Sequence, residues 1–128
     1  MAAPEFLSSE KYSAKAGEAL TSHALVIMGS AFTVTESDNA TKCPFGRCNG
    51  DAASGAAVQI QPLRSGDIML LIADGSVTVG TKLVCTTGGL VTDYSSGAAW
   101  IIGEALETDN ASGDLVVVMI APSYTNAT

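Results

Sequence analysis

The chain has 128 residues, a formal net charge of −7, 47% hydrophobic residues and 15% charged residues. This length allows one domain with a sizeable core. Six Lys and Arg residues scattered through an acidic chain argue against a phosphate-binding surface, so nucleic acid is not an expected partner. The longest apolar stretch, Leu115–Ala121, is far shorter than the ~20 residues of a membrane helix. We therefore expect no membrane span, and no secretory signal at the N-terminus.

Residues 1–15 show no clear hydrophobic period and are predicted to form an N-terminal arm that lies over another surface. Its apolar side chains, Phe6, Leu7 and Tyr12, have no evident place in the core pattern. We expect these three residues to contact a partner, and a frayed terminus is the alternative.

A single mainly β domain is predicted over residues 16–128, either a small β-barrel or a β-sandwich. Apolar runs alternate with turn residues about every ten positions, which is typical of both architectures. Gly29-Ser30 and Gly88-Gly89 are predicted to form tight hairpins, because glycine readily adopts the positive φ that such turns need. The roughly nine predicted strands are Ala24–Met28, Ala31–Thr35, Ala57–Gln61, Asp67–Ile72, Ser76–Val79, Lys82–Thr86, Leu90–Thr92, Ala99–Leu106 and Asp114–Ile120.

Two of these strands follow the same motif, Ser-Gly-Asp, at residues 65–67 and 112–114. Each motif is a polar turn that opens into an unbroken apolar strand. Such a strand must be covered on both faces, by a second sheet, a barrel interior or a neighbouring subunit. This predicts an oligomer. A second repeated motif, Gly-Glu-Ala-Leu at residues 17–20 and 103–106, indicates either duplicated units or repeated use of the same residue types in turns.

The sequence matches no catalytic motif. His23 stands alone beside Ser22, and the sequence has no nucleophile elbow, phosphate loop or dinucleotide motif. A long flexible loop is predicted over residues 41–55, and it contains Cys43 and Cys48. Free thiols are favoured there over a local disulfide or a zinc site completed by Cys85 and His23. We expect no catalytic residue, no metal and no cofactor, and therefore no enzyme.

The order of several glycine-containing phrases resembles the small capsid cement, or head decoration, proteins of tailed bacteriophages. These phrases are Ala16-Gly17-Glu18-Ala19-Leu20, Val79-Gly80-Thr81-Lys82-Leu83, Gly88-Gly89-Leu90-Val91, Ile102-Gly103-Glu104-Ala105-Leu106 and the run from Ala111 to Val118. The resemblance implies a homotrimer on the outer capsid surface that staples neighbouring copies of the major capsid protein and has no catalytic activity.

A virion protein of this kind is assembled in the host cytoplasm, which suits an odd number of cysteines. The alternative is a carbohydrate- or receptor-binding β-module from a phage or bacterial surface structure. Such modules usually present exposed aromatic side chains, whereas Trp100 falls inside an apolar run and is predicted to belong to the core.

Overall fold

Ten β-strands in two five-stranded sheets make up the computed structural model, which describes residues 12–109 and 111–125. The mainly β prediction is confirmed. Two short 3-10 turns, Ser30–Phe32 and Thr87–Gly89, each join a pair of strands. The strands are β1 (Tyr12–Ala16), β2 (Leu25–Met28), β3 (Thr33–Glu36), β4 (Gly46–Cys48), β5 (Ala57–Pro62), β6 (Ile68–Ile72), β7 (Lys82–Thr86), β8 (Leu90–Asp93), β9 (Ala99–Ala105) and β10 (Leu115–Thr125).

Strands β1–β5 form a closed barrel, here called the first barrel, in the order β1-β3-β2-β4-β5. β1 closes it by pairing in parallel with β3 and antiparallel with β5. Alternate residues of β1 and β5 point inward, so Ala14, Ala16, Val58 and Ile60 are buried while their neighbours are more exposed. The small alanine side chains suit the narrow interior of a five-stranded barrel.

Strands β6–β10 form the second sheet, in the order β6-β10-β9-β7-β8. A parallel bridge between Ala73 and Val91 brings the end of β6 alongside β8, so this sheet also curls towards closure. Its core contains Leu71, Val116 and Ile120, and it also contains Leu25 from the first barrel. Leu25 therefore joins the first barrel to the core of the second sheet, while other buried side chains of the barrel form a separate cluster.

The two halves repeat one topology in the same chain order. Ala16 pairs in parallel with Val34 in the first barrel, and Ala73 pairs in parallel with Val91 in the second sheet, 57 positions further along in both cases. The repetition extends to the backbone, because positive φ angles recur at the same offset. The matching positions are His23 and Gly80, Ala31 and Gly88, and Phe32 and Gly89.

The structure thus favours duplication over mere reuse of turn chemistry. The two copies of Gly-Glu-Ala-Leu are not, however, structural counterparts. The counterpart of Gly103 is Gly46. Gly103 pairs with β10 in the second sheet, and Gly46 pairs with β5 in the first barrel.

The two predicted hairpins are present, but their turns differ. Gly88 and Gly89 have φ angles of +83° and +76°, as predicted. In the first hairpin Gly29 has a φ of −105°, and Ala31 and Phe32 take the left-handed conformations instead. The first hairpin is therefore where it was predicted, but the prediction that Gly29 supplies its positive φ is wrong.

Three predicted segments also need correction. Residues 12–15 belong to β1 and not to an arm, because Tyr12 and Ala14 pair with Ile60 and Val58 of β5. The loop predicted over residues 41–55 contains β4, which pairs with both β2 and β5. Residues 76–79 form no strand and have one isolated bridge, between Val77 and Asp109.

Candidate functional site

An apolar surface lies on the outside of the second sheet, where β6, β10 and the end of β9 run side by side. Its residues, called the apolar face below, are Ile68, Leu70, Leu106, Leu115, Val117 and Met119. Ile68 is 63% exposed, Leu115 is 42% exposed, and Val117 is half-buried. Met119 lies opposite Ile68 and Val117 lies opposite Leu70, so these side chains are adjacent on one face of the sheet.

The two Ser-Gly-Asp motifs build this face by pairing with each other's strands. Gly66 donates its N–H to the carbonyl of Ile120, and Gly113 donates to the carbonyl of Ala73, at distances of 2.7 and 2.8 Å. Gly66 thus binds the middle of β10, and Gly113 binds the residue that follows β6. The inner face of both strands is buried, as predicted, whereas the outer face stays partly exposed, with Leu70 36% and Met119 37% exposed.

The first barrel provides an internal comparison for the apolar face. By the register of the two halves, Val117 corresponds to Gln59, and Leu70 corresponds to Ser13. Both of these counterparts are polar and exposed. Since the same strand pair folds with a polar outer face in the first barrel, the fold does not require apolar residues there. Their presence in the second sheet therefore needs a functional explanation.

Polar groups surround the apolar face. Glu104 is exposed beside Met119 in the adjoining strand β9, and Glu107 accepts a hydrogen bond from the N–H of Val117 at 3.0 Å. On the β6 side, Arg47 donates to the carbonyl of Leu70 at 3.2 Å. An apolar centre with a polar rim is the usual anatomy of a protein–protein interface.

Arg47 also fixes the apolar face to the first barrel. Its guanidinium donates to Asn49 at 2.7 Å and to Gln61 at 3.2 Å, which holds it across β4 and β5. Partial burial lowers the pKa of Arg47, but an arginine remains charged at neutral pH. The bond to Leu70 thus occupies a backbone carbonyl at an otherwise open edge of β6.

Of the three partner-contact residues predicted from the sequence, the structure describes Tyr12. Phe6 and Leu7 lie outside the described part of the chain. Tyr12 is in β1, where its ring centroid is 6.0 Å from that of Phe45. Tyr12 therefore helps to close one end of the first barrel.

The three cysteines are free thiols, as favoured by the sequence. Cys43 is exposed, whereas Cys48 lies buried in β4 and Cys85 lies buried in β7. Burial raises the pKa of Cys85 to about 11 and also raises the pKa of Cys48. Cys48 is thus part of the barrel core and not of a flexible loop.

His23 occupies a turn and does not form a catalytic relay with its neighbours. Its Nδ1 atom lies 3.1 Å from the hydroxyl of Ser22, while Asp51 accepts a bond from the backbone N–H of Ser22. A catalytic triad would require the carboxylate to orient the imidazole. Among residues 12–109 and 111–125, no three His, Cys, Asp or Glu side chains are grouped so that they could hold a metal ion.

Trp100 is half-buried and packs edge-on against Tyr124, with ring centroids 5.2 Å apart. Tyr124 is 52% exposed, so this pair covers the outside of β9 and β10 instead of entering the core. In the part of the chain that the structure describes, no helix is long and apolar enough to cross a membrane.

Comparison with solved structures gives a match to the fold. The chain is similar to the head fiber gp8.5 N base of bacteriophage phi29, with a TM-score of 0.74 and 19% sequence identity. The match covers 87% of this chain and 92% of that chain. At this identity the likeness establishes the fold alone. No protein-family model matches the sequence, and no curated protein matches it.

Proposed function

We propose that this protein is a structural component of a phage virion, which binds the outer surface of the capsid as a homotrimer and stabilises the shell. The observation that carries the proposal is the apolar face on β6 and β10, which has a polar counterpart in the first barrel. The likeness of nearly the whole chain to a phage head fiber base supports a virion role.

The apolar face fits a contact between copies of the chain. A monomer that leaves Ile68, Leu70, Leu115 and Met119 in water loses the free energy that burial of these side chains would supply, about 25 cal/mol per Å² of apolar area. An apolar centre surrounded by a polar rim is what a water-excluding contact between two copies of the chain requires. In a closed ring, each copy would present this face to a different part of its neighbour.

Binding to the assembled shell supplies the mechanism of stabilisation. A protein that binds the assembled capsid, and not its separated subunits, shifts the equilibrium towards the assembled state by mass action. Three linked copies would bind with a much lower dissociation rate than one copy, because each attachment raises the effective concentration of the next. No catalytic step is part of this function.

A single substitution on the apolar face tests the proposal. Wild-type protein should have the solution mass of three 13.0 kDa chains by light scattering, and Val117→Asp should be a folded monomer because its charge would be buried in the contact. Gln59→Asp, at the corresponding exposed position of the first barrel, is the matched control and should remain a trimer.

Two further measurements separate assembly from folding and from capsid binding. Val118→Asp should fail to fold, because Val118 is 0% exposed in the core of the second sheet. When added to undecorated capsid particles, Val117→Asp should reach a much lower occupancy than Gln59→Asp. A wild-type protein that stays monomeric at high concentration would exclude the trimer, and equal occupancy of the two variants would exclude a role for the apolar face in attachment.

The capsid-contact residues predicted from the sequence, Phe6 and Leu7, stay a prediction. Tyr12 is the weakest of the three candidates, since its ring already packs on Phe45.

A further inference from the structure

A groove of about 600 Å³ opens at one end of the first barrel. It lies between the end of β2, the segment that leads into β4, and the end of β5. Its lining is mostly apolar and includes Ile27, Met28, Phe45 and Leu63. Lys42 and the exposed thiol of Cys43 also line it.

In the second sheet, the same region carries an additional paired segment. Residues 42–44 correspond to residues 99–101, where β9 pairs with the extension of β10. There, Ser123, Tyr124 and Thr125 lie opposite Ile101, Trp100 and Ala99. In the first barrel the chain cannot supply this extension, because after Pro62 it turns away towards β6. The groove is therefore the place where the second half has an additional extended segment and the first half, within the described residues, has none.

Residue 12, at which the described part of the chain begins, lies next to this groove. Tyr12, the first residue of β1, lies opposite Ile60 of β5, two residues before Pro62, which lines the groove. The ring of Tyr12 lies 6.0 Å from that of Phe45, another lining residue. Phe6 is six residues before Tyr12, so it can reach a point up to about 20 Å away.

The chemistry of the segment matches the groove. Residues 1–11 contain the adjacent apolar pair Phe6-Leu7, flanked by Glu5 and Glu10. The charged side chain in the groove lining is Lys42, which is about half exposed and whose Nζ lies 3.9 Å from Oδ1 of Asp38. We propose that residues 1–11 of the same chain cover this groove, with Phe6 and Leu7 seated on its apolar lining and the glutamates near Lys42.

This inference goes beyond the proposed function, since it concerns the free protein and needs neither a trimer nor a capsid. Cys43 is a natural reporter for it, because its thiol lies in the groove while the other two thiols are buried. A segment seated there would shield Cys43 from a maleimide. The double variant Phe6→Ser/Leu7→Ser should therefore raise the alkylation rate of Cys43 by about a hundredfold, which corresponds to the lower end of the free energy lost when two apolar side chains are no longer buried.

Ser8→Ala is the matched control in the same segment and should leave the rate unchanged. Cys48 and Cys85 should stay unlabelled in every variant, which shows that the protein remains folded. An unchanged rate in the double variant would overturn the proposal, and Phe6 and Leu7 would then be available for the capsid contact predicted from the sequence.

A disulfide test gives an independent reading of the same placement. In Phe6→Cys, the introduced thiol and Cys43 should join within one chain when oxidised glutathione is added, which is itself reduced to two glutathione molecules. Ser54→Cys is the control, since Ser54 bonds to the carbonyl of Gly17 at the opposite end of β1. A bond between two chains, or equal yields in the two variants, would contradict a seat in the chain's own groove.

Discussion

At the scale of single residues, Glu36 is the carboxylate whose surroundings most clearly favour its neutral form. It lies at the end of β3, where its backbone N–H donates to the carboxylate of Glu18 at 2.8 Å. Burial, and then the negative charge of Glu18, raise the pKa of Glu36 above its ordinary value of 4.5. The folded state thus holds this proton more strongly than the unfolded chain does.

The pH dependence of stability follows from that difference. Because the folded protein binds more protons here, the contribution of Glu36 is most favourable below pH 4.5 and is lost as the pH rises through the raised pKa. Glu36→Gln should therefore stabilise the protein at pH 7 more than at pH 4, measured by urea unfolding at both values. The control is Glu104→Gln, an exposed glutamate in β9. A gain that is the same at both pH values would show that the charge of Glu36 is not its cause.

Other single residues explain why parts of the fold could not be predicted. Ala31 and Phe32 adopt left-handed conformations that their types rarely take, so the sequence placed the turn at Gly29 instead. At the corresponding positions of the second half, Gly88 and Gly89 give the same turn an obvious signal. The same turn could therefore be predicted from the sequence in the second half but not in the first.

At the scale of secondary-structure elements, two glycines allow neighbouring strands to approach closely in both halves. A Cβ at Gly46 would collide with the carbonyl oxygen of Gln61, and one at Gly103 would collide with that of Met119. Each glycine faces the strand that pairs with its own, so the close contact is a property of the duplicated unit.

Gly46→Ala and Gly103→Ala should each lower the free energy of unfolding by about 1–3 kcal/mol, since an overpacked side chain forces the backbone apart. Gly50→Ala is the control, because a Cβ there would meet no atom within 4 Å. Chemical denaturation of the three variants measures the effect. If Gly46→Ala lowered the free energy of unfolding no more than Gly50→Ala does, β4 and β5 would be able to move apart without a loss of stability.

The elements differ in how visible they were in the sequence. β6 and β10 follow Ser-Gly-Asp turns and consist of apolar residues, so their place and their buried inner face were predicted. β4 has three residues, Gly-Arg-Cys, with no apolar run, and it exists because β2 and β5 offer free edges on both sides. The apolar face was anticipated as a surface in need of cover. Its polar counterpart in the first barrel became visible only with the strand register.

At the scale of the whole molecule, the two duplicated halves are joined by packing that neither half could make alone. Leu25 of β2 is 0% exposed and belongs to the core of the second sheet. Gly89 lies so close that an added Cβ would be 2.6 Å from the carbonyl oxygen of Leu25. Bonds from Gly89 to Ser37 and from Trp100 to Ala40 also cross between the halves.

This contact is not repeated on the outer sides of the two halves. The counterpart of Leu25 in the second sheet is Lys82, and the counterpart of Gly89 in the first barrel is Phe32, which is 47% exposed. A charged side chain and an aromatic ring in these places prevent the same close packing between molecules. Duplication therefore produced a single internal joint, at Leu25 and Gly89, and a contact between molecules would use another surface.

The packing of Leu25 in the core of the second sheet predicts that both halves unfold together. Each half contains one buried thiol, Cys48 in the first barrel and Cys85 in the second sheet, so labelling during a denaturant series reports the two halves separately. Leu25→Ala should lower the unfolding free energy by about 2–5 kcal/mol as reported by either thiol, because the cavity opens at the joint. Lys82→Ala, at the corresponding exposed position, should change it by less than about 0.5 kcal/mol. If Leu25→Ala exposed Cys48 at a lower denaturant concentration than Cys85, the halves would be separate folding units and the joint would contribute little to the stability of the second sheet.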